Sequence, residues 1–222
     1  MKLLLAGGTG LIGQAFLALA QSTNLHITAV GRRPTGLATE DIVADFADLP
    51  AMPSARVAVC TLGTTIRAAG SQDAFRAIDF DAVIAFATAA KAAGVEHFLT
   101  VTAVGANANS SVFYSRVKGE VERELSSMHF QRLDIVQPGL LLGNRTERRP
   151  VETLLKWIAP GTDLLMQGPW RGYRSIAAQT VAESLLVLTT HPASGLYINQ
   201  HDDIAALAAG ATYGVRRRAV QS

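Results

Sequence analysis

Short apolar runs alternate with longer amphipathic segments along most of the chain. Lys2-Leu3-Leu4-Leu5-Ala6 is apolar at consecutive positions, the pattern of a strand buried on both faces, and it stops at a glycine cluster. Leu11 to Gln21 has helical character, and Leu25 to Val30 reads as a second strand. Asp41 to Asp45 and Arg56 to Cys60 read as the third and fourth. From Gln72 to Ala93 the apolar positions Phe75, Ile78, Ala82, Ala85, Phe86 and Ala89 recur at spacings of three and four. That spacing predicts one amphipathic helix, with Gly94 as its stop. His97 to Thr102 gives a fifth strand, Val112 to Ser127 a helix, and Leu133 to Val136 a sixth strand. Strand and helix alternating in this way predict an α/β fold with a parallel sheet covered on both faces. The right-handed crossover rule makes a doubly wound sheet the economical layout.

Beyond Pro138-Gly139 the pattern loosens, with Pro150, Pro160-Gly161 and Gly168-Pro169 punctuating shorter elements. A helix is expected from Thr180 to Thr189 and a last strand from Gly195 to Asn199. Residues 1–138 thus read as the core, and 139–222 as a small C-terminal cap of the same domain. A cap over the carboxyl ends of the strands would wall one side of a ligand crevice.

At 222 residues the chain fits one domain, and its 49% hydrophobic and 17% charged residues exclude a disordered segment. No apolar run approaches the roughly 18 residues of a membrane span. The run from Met1 to Ala6 is broken at once by Gly7, Gly8 and Gly10, unlike a signal peptide. A single cysteine excludes an internal disulfide and a multi-cysteine zinc site. The expectation is a soluble, cytoplasmic protein with no membrane partner. The net charge of +2 is local to Arg216, Arg217 and Arg218 near the end, read as a frayed, solvated tail or as a contact for an acidic surface. With 6% aromatics and no basic–aromatic interleaving, no nucleic-acid partner is expected.

Gly7-Gly8-Thr9-Gly10-Leu11-Ile12-Gly13 follows the first strand and opens the first helix. Glycines at this spacing allow a tight turn, close approach of backbone to a pyrophosphate, and tight helix–strand packing. The helix start then offers free N–H groups and a positive dipole end to phosphates. A Rossmann-like dinucleotide site is the reading, a mere turn the alternative. The second strand ends at Val30-Gly31-Arg32-Arg33, where an NAD site would present an acid to the ribose 2′-hydroxyl. Two guanidiniums suit a 2′-phosphate, so NADP(H) is expected over NAD(H); a solvated basic loop before Pro34 is the alternative. Asp45 is a candidate for the adenine side of the cofactor, or a helix N-cap. Tyr114 and Lys118 lie four apart on one helix face. An ammonium beside a phenol is expected to pull the phenol's pKa from about 10 towards neutrality and fit it for acid–base catalysis.

The glycine fingerprint with Tyr114-x-x-x-Lys118 resembles the short-chain dehydrogenase/reductase superfamily. More narrowly the chain resembles its atypical, Tat-interactive-protein-like branch. That resemblance rests on Cys60-Thr61-Leu62-Gly63-Thr64-Thr65, the run from Ala90 to Phe98, Val104-Gly105-Ala106, and the run from Phe113 to Glu120. Pro138-Gly139-Leu140-Leu141-Leu142-Gly143 and Glu147-Arg148-Arg149-Pro150 extend it. The resemblance implies an NADP(H)-binding fold with Tyr114 as proton donor or acceptor and Lys118 on the nicotinamide ribose. It places Leu62 and Gly63 at the border of the cofactor, and Leu141 and Arg149 towards its nicotinamide half. It also suggests a homodimer through the long helices, burying Phe75, Ile78, Phe86 and Ala89.

One departure stands out. The family usually has two serines after strand five, the second polarising the carbonyl; here the pair is Thr102-Ala103. The missing donor would supply about 3 kcal/mol of transition-state stabilisation, and Thr102 replaces it only if the loop shifts by one residue. Cys60 reads as a small core residue, and the five histidines have no metal-ligand spacing, so no metal is expected. Trp157, Trp170 and Tyr173 in the cap either line a substrate pocket or pack ordinarily. The expected activity is hydride transfer between NADP(H) and a carbonyl or alcohol, a small-molecule substrate. The rivals are a catalytically idle NADP(H)-binding sensor and a nucleotide-sugar epimerase or dehydratase.

Overall fold

The computed structural model describes residues 1–142 and 173–210. The consecutive apolar residues of β1 (Lys2–Ala6) are explained by its central place in the sheet. Leu3 and Leu5 face one helical layer, Leu4 and Ala6 the other. β2 (His26–Gly31) and β3 (Glu40–Val43) extend the sheet on one side of β1. β4 (Val57–Cys60), β5 (His97–Val101) and β6 (Arg132–Val136) extend it on the other. A further strand, Gly195–Asn199, pairs with β6 and completes seven strands, all parallel. The strand order reverses direction between β1 and β4, and that switch point opens the crevice expected of a doubly wound sheet.

Helix α1 (Leu11–Ala20) covers one face through Ile12, Phe16 and Leu17. On the other face lie α2 (Ile66–Ala69), α3 (Gln72–Arg76), a π-helical turn (Ala77–Asp81), α4 (Ala82–Ala92) and α5 (Phe113–Ser127). Among the described residues beyond 138, β7 (Leu141–Leu142) pairs with β8 (Ile176–Ala177) as a small second sheet. They are followed by α6 (Ala178–Leu188), the seventh sheet strand, now β9 (Gly195–Asn199), and α7 (His201–Ala208). α6 packs Val181, Leu185 and Leu188 against the α1 face, so this part of the expected cap segment completes the core layer. Each such fully buried Leu, Val or Phe contributes roughly 1.5–3 kcal/mol.

The helix expected as one piece from Gln72 to Ala93 is interrupted by the π-helical turn. A π-turn takes in one extra residue and rotates everything after it. The buried face therefore runs Phe75, Asp79, Ala82, Val83, Phe86, Ala87 and Ala90, leaving Ile78, Ala85 and Ala89 half-buried. Phe75 and Phe86 are fully buried within one chain, while Ile78 and Ala89 of the same apolar stripe are half-buried.

Along β5, β6 and β9 a buried ionic cluster replaces apolar contacts. Asp134 accepts from Arg132 Nη2 at 3.0 Å and from Asn199 Nδ2 at 3.2 Å, and meets His97 Nε2 at 2.7 Å. Burial opposes charge on Asp134, but the hydrogen bonds from His97 and Arg132 outweigh it and hold its pKa below the ordinary value. Burial lowers the pKa of His97 despite the facing carboxylate.

Candidate functional site

A cavity of about 360 Å³ opens at the carboxyl ends of β1, β4 and β5. One wall is the start of α1, Gly10 to Ile12; another is Thr61 to Thr65 after β4. Val101, Thr102 and Ala103 form its floor, Tyr114 and Lys118 reach it from α5, Asp79 from the π-turn, and Pro138 to Leu142 close the side.

The glycine turn is glycine by necessity at two positions. Gly7 has φ +83°, and a Cβ there would lie 2.6 Å from the Thr61 carbonyl carbon. A Cβ on Gly13 would run into the Gly7 carbonyl oxygen, so glycine lets α1 sit against the turn. The Gly10 N–H donates to the Gly7 carbonyl at 2.9 Å. No side chain caps α1, and its first turn holds no acid, so the helix dipole faces the crevice uncompensated. This cradle, with no Cβ filling it, fits a dinucleotide pyrophosphate. Thr9 is exposed beside it.

The basic loop is held next to this turn. The Thr35 N–H and hydroxyl donate to Asp41 Oδ1 at 3.0 and 2.9 Å, which braces the segment after β2. A Cβ on Gly8 would lie 2.7 Å from Thr35 Cγ2, so the loop touches the glycine turn. Arg32 and Arg33 are exposed there, outside the cavity wall. The strand expected to reach Asp45 ends at Val43; exposed Asp45 accepts the Ala47 N–H at 2.9 Å, a local turn rather than a cavity contact.

Helix α5 approaches the β5–α5 loop closely because Gly119 has no side chain: a Cβ there would collide with the Asn107–Ala108 backbone. Lys118 is buried there to 5% exposure, and the Tyr114 ring centroid lies 5.5 Å from that of Phe75, tilted by 46°. The structure thus brings Gly10, Leu11, Ile12, Leu62, Gly63, Thr102, Tyr114, Lys118 and Leu141 to one cavity, while Arg149, Trp157 and Trp170 lie outside the described residues. Tyr173 lies at the β5–α5 loop, its hydroxyl 2.8 Å from where a Gly105 Cβ would stand.

Three partners were not singled out by the sequence pattern. Asp79 Oδ1 lies 2.7 Å from Lys118 Nζ, and Asp79 Oδ2 accepts the Thr64 N–H at 2.8 Å. Thr102 Oγ1 donates to Glu122 at 2.5 Å, and Gln137 Nε2 donates to both oxygens of that carboxylate at 2.9 and 3.0 Å. The available signals were an aspartate four residues past Phe75 on an apolar face, and a glutamate four past Lys118.

The expected lowering of the Tyr114 pKa is corrected. Burial raises it, Lys118 lowers it, Asp79 raises it again, and the net direction is up. Burial pulls the Lys118 pKa down, but Asp79 and Tyr114 lift it above the ordinary value, so the ammonium stays charged. Burial pushes the Cys60 thiol up to about 12, which leaves it inert.

The model of the NAD(P)H-binding family matches residues 7–192. Protein HTATIP2 of Rattus norvegicus is 35% identical over 201 residues, 85% of this chain and 81% of that protein. The mitochondrial protein FMP52 of Coccidioides immitis is 33% identical over 187 residues, 75% of this chain and 76% of its own. Among solved structures, human epimerase family protein SDR39U1 with NADPH superposes with a TM-score of 0.64 at 20% identity, covering 90% of this chain and 74% of that one. MoeE5 with UDP-glucose and NAD gives 0.67 at 14%, covering 97% and 83%. These neighbours share the fold. Among the described residues no helix is long and apolar enough to cross a membrane. The expected cytoplasmic location is overturned by the relatives' names, since the FMP52 proteins of several fungi are called mitochondrial. Matched over most of its length by the family model and by a 35% identical relative, the chain belongs to the NAD(P)H-binding family, in the atypical, HTATIP2-like branch of the short-chain dehydrogenases/reductases.

Proposed function

We propose that the protein is an NADP(H)-dependent oxidoreductase acting on a carbonyl or alcohol, with Tyr114 as proton donor and Lys118 as its electrostatic support. The observation that carries this reading is the cavity itself: an acid–base pair on α5 faces the uncapped start of α1 across a space floored by Thr102 and Ala103. NADPH, when bound, supplies the hydride. Gly7 to Gly13 hold its pyrophosphate, Leu62 and Gly63 border it, and Leu141 faces its nicotinamide half. The exposed Arg32 and Arg33, held beside the glycine turn, take the 2′-phosphate, which favours NADP(H) over NAD(H). Tyr114 delivers its proton to the substrate oxygen, and the Lys118 ammonium steadies the phenolate left behind. A short-chain neighbour bound to NADPH lends support to the cofactor choice.

Ala103 favours a second reading, an idle NADP(H)-binding protein, because the cavity floor lacks a hydroxyl there. NADPH oxidation across a panel of aldehydes, ketones and quinones separates the two. Turnover that drops by about 10²–10⁴-fold in Tyr114→Phe, with NADPH affinity kept, supports the enzyme. A rate untouched by Tyr114→Phe removes Tyr114 from the chemistry.

A further inference from the structure

Asp79 is out of place by the logic of hydrophobic patterning. It sits on the buried side of a helical segment, is 0% exposed, and faces the cavity. A carboxylate in such a place is costly unless a cation meets it. The π-turn brings Asp79 round to Lys118, and among the described residues the ammonium at 2.7 Å is the one partner of Asp79 Oδ1. Gly63 stands beside the pair: a Cβ there would make ordinary contact, 3.4 Å from Asp79 Oδ1 and 3.6 Å from Lys118 Nζ.

The pairing changes what Tyr114 experiences. Lys118 alone would present a full positive charge to the phenol; with Asp79 attached, part of that charge is offset. Around this group stand Lys118 and Glu122 from α5, Asp79 from the π-turn and the neutral Cys60 thiol from β4. Burial favours the phenol, and Asp79 works in the same direction.

We propose that Asp79 is a positioning residue that sets the resting state of the site: by pairing with Lys118 it keeps Tyr114 protonated at neutral pH, so the site meets a carbonyl with its proton donor already loaded. This rests on Tyr114 being the proton donor of the reading above. In reduction the carbonyl π bond opens as hydride joins the carbon, the Tyr114 O–H bond breaks, and a new O–H bond forms on the substrate oxygen. The phenolate regains its proton from solvent, so one carbonyl, one NADPH and one proton give one alcohol and one NADP⁺. Oxidation needs Tyr114 to begin as phenolate, which burial and Asp79 both oppose.

The test is tyrosinate absorbance against pH, with the Tyr114→Phe protein subtracted to isolate Tyr114 among the four tyrosines. Tyr114 should ionise above the ordinary value of about 10 in the unmutated protein. Asp79→Asn, nearly isosteric, should lower that midpoint by about one unit or more, because the ammonium then acts alone. Asp79→Asn/Lys118→Met should raise it again, which traces the lowered midpoint to the freed ammonium; a lowering that came only from a loosened, wetter site would persist in the double variant. An unchanged midpoint in Asp79→Asn overturns the proposal. So does a Tyr114 that ionises near neutral pH in the unmutated protein, a measurement that stands even if Asp79→Asn does not fold. None of these readouts uses a substrate. Failure of the carbonyl panel would therefore count against the enzyme reading and leave the Asp79 result to be judged separately.

Discussion

The Thr102 hydroxyl donates to the Glu122 carboxylate, and both side chains are buried. Burial pushes the Glu122 carboxyl from 4.5 up to about 7, against the hydrogen bonds from Thr102 and Gln137 and the charge of Lys118. The folded pKa exceeds the unfolded one, so this group's contribution to stability is full below about 4.5 and is lost as pH rises through about 7. Glu122→Gln imitates the neutral acid. It should flatten that pH dependence and make the protein more stable than the parent at pH 8, by on the order of 3 kcal/mol. Urea unfolding at pH 5 and pH 8 measures it; a slope that persists in the variant would rule out Glu122 as its source.

Cofactor choice is expected to follow the arginine loop. With Arg32 and Arg33 exposed beside the glycine turn, NADPH should bind at least about tenfold more tightly than NADH, the effect of one charge-assisted hydrogen bond. Arg32→Ala/Arg33→Ala should close most of that gap without weakening NADH. Equal affinities in fluorescence titrations of the unmutated protein would defeat the assignment.

The strands and most helices were legible because a doubly wound sheet writes a simple pattern: apolar runs of four to six residues, then amphipathic spans. The π-turn was not, because one extra residue at Ala77–Asp81 leaves a sequence that still fits spacings of three and four. The spacing therefore puts Ile78, Ala85 and Ala89 on the apolar face, where the fold buries Asp79, Val83 and Ala87. The Tyr114–Lys118 pair was legible from spacing on one helix. The sign of the Tyr114 shift was not, since it depends on burial and on a carboxylate from another segment. Glu122 shares the α5 face with Lys118, yet its partner Thr102 comes from the end of β5 and meets it only in the fold.

The buried cluster on β5, β6 and β9 is expected to be a weak point once broken. Arg132→Leu would leave Asp134 buried with its main cation gone, and the Tyr197 ring without the guanidinium 4.3 Å above it. Removing one partner of a buried ion pair costs about 3–5 kcal/mol. Arg132→Leu/Asp134→Leu should recover part of that loss, because no charge is then stranded. Chemical denaturation of the three proteins tests this, and a double variant no more stable than the single one would speak against stranded charge as the cause.

The Thr102–Ala103 pair gives the sharpest functional expectation. Both residues line the cavity floor, but the Thr102 hydrogen is directed at Glu122, so while Glu122 is ionised Thr102 has no proton to offer a substrate oxygen. Ala103→Ser would place a hydroxyl on the same floor, free to donate. Under the oxidoreductase reading this should raise kcat, by up to about 10²-fold, the scale of a single oxyanion-type donor, while NADPH affinity stays where it was. The gain should also depend on pH. Below about 7 Glu122 takes up a proton and can itself donate to Thr102, which frees the Thr102 hydrogen for the substrate. Ala103→Ser should therefore help more at pH 8 than at pH 6. A gain that is equal at both pH values would mean that Thr102 does not contribute, and a loss of turnover at both would mean that the cavity floor needs the small side chain of Ala103 to admit its substrate.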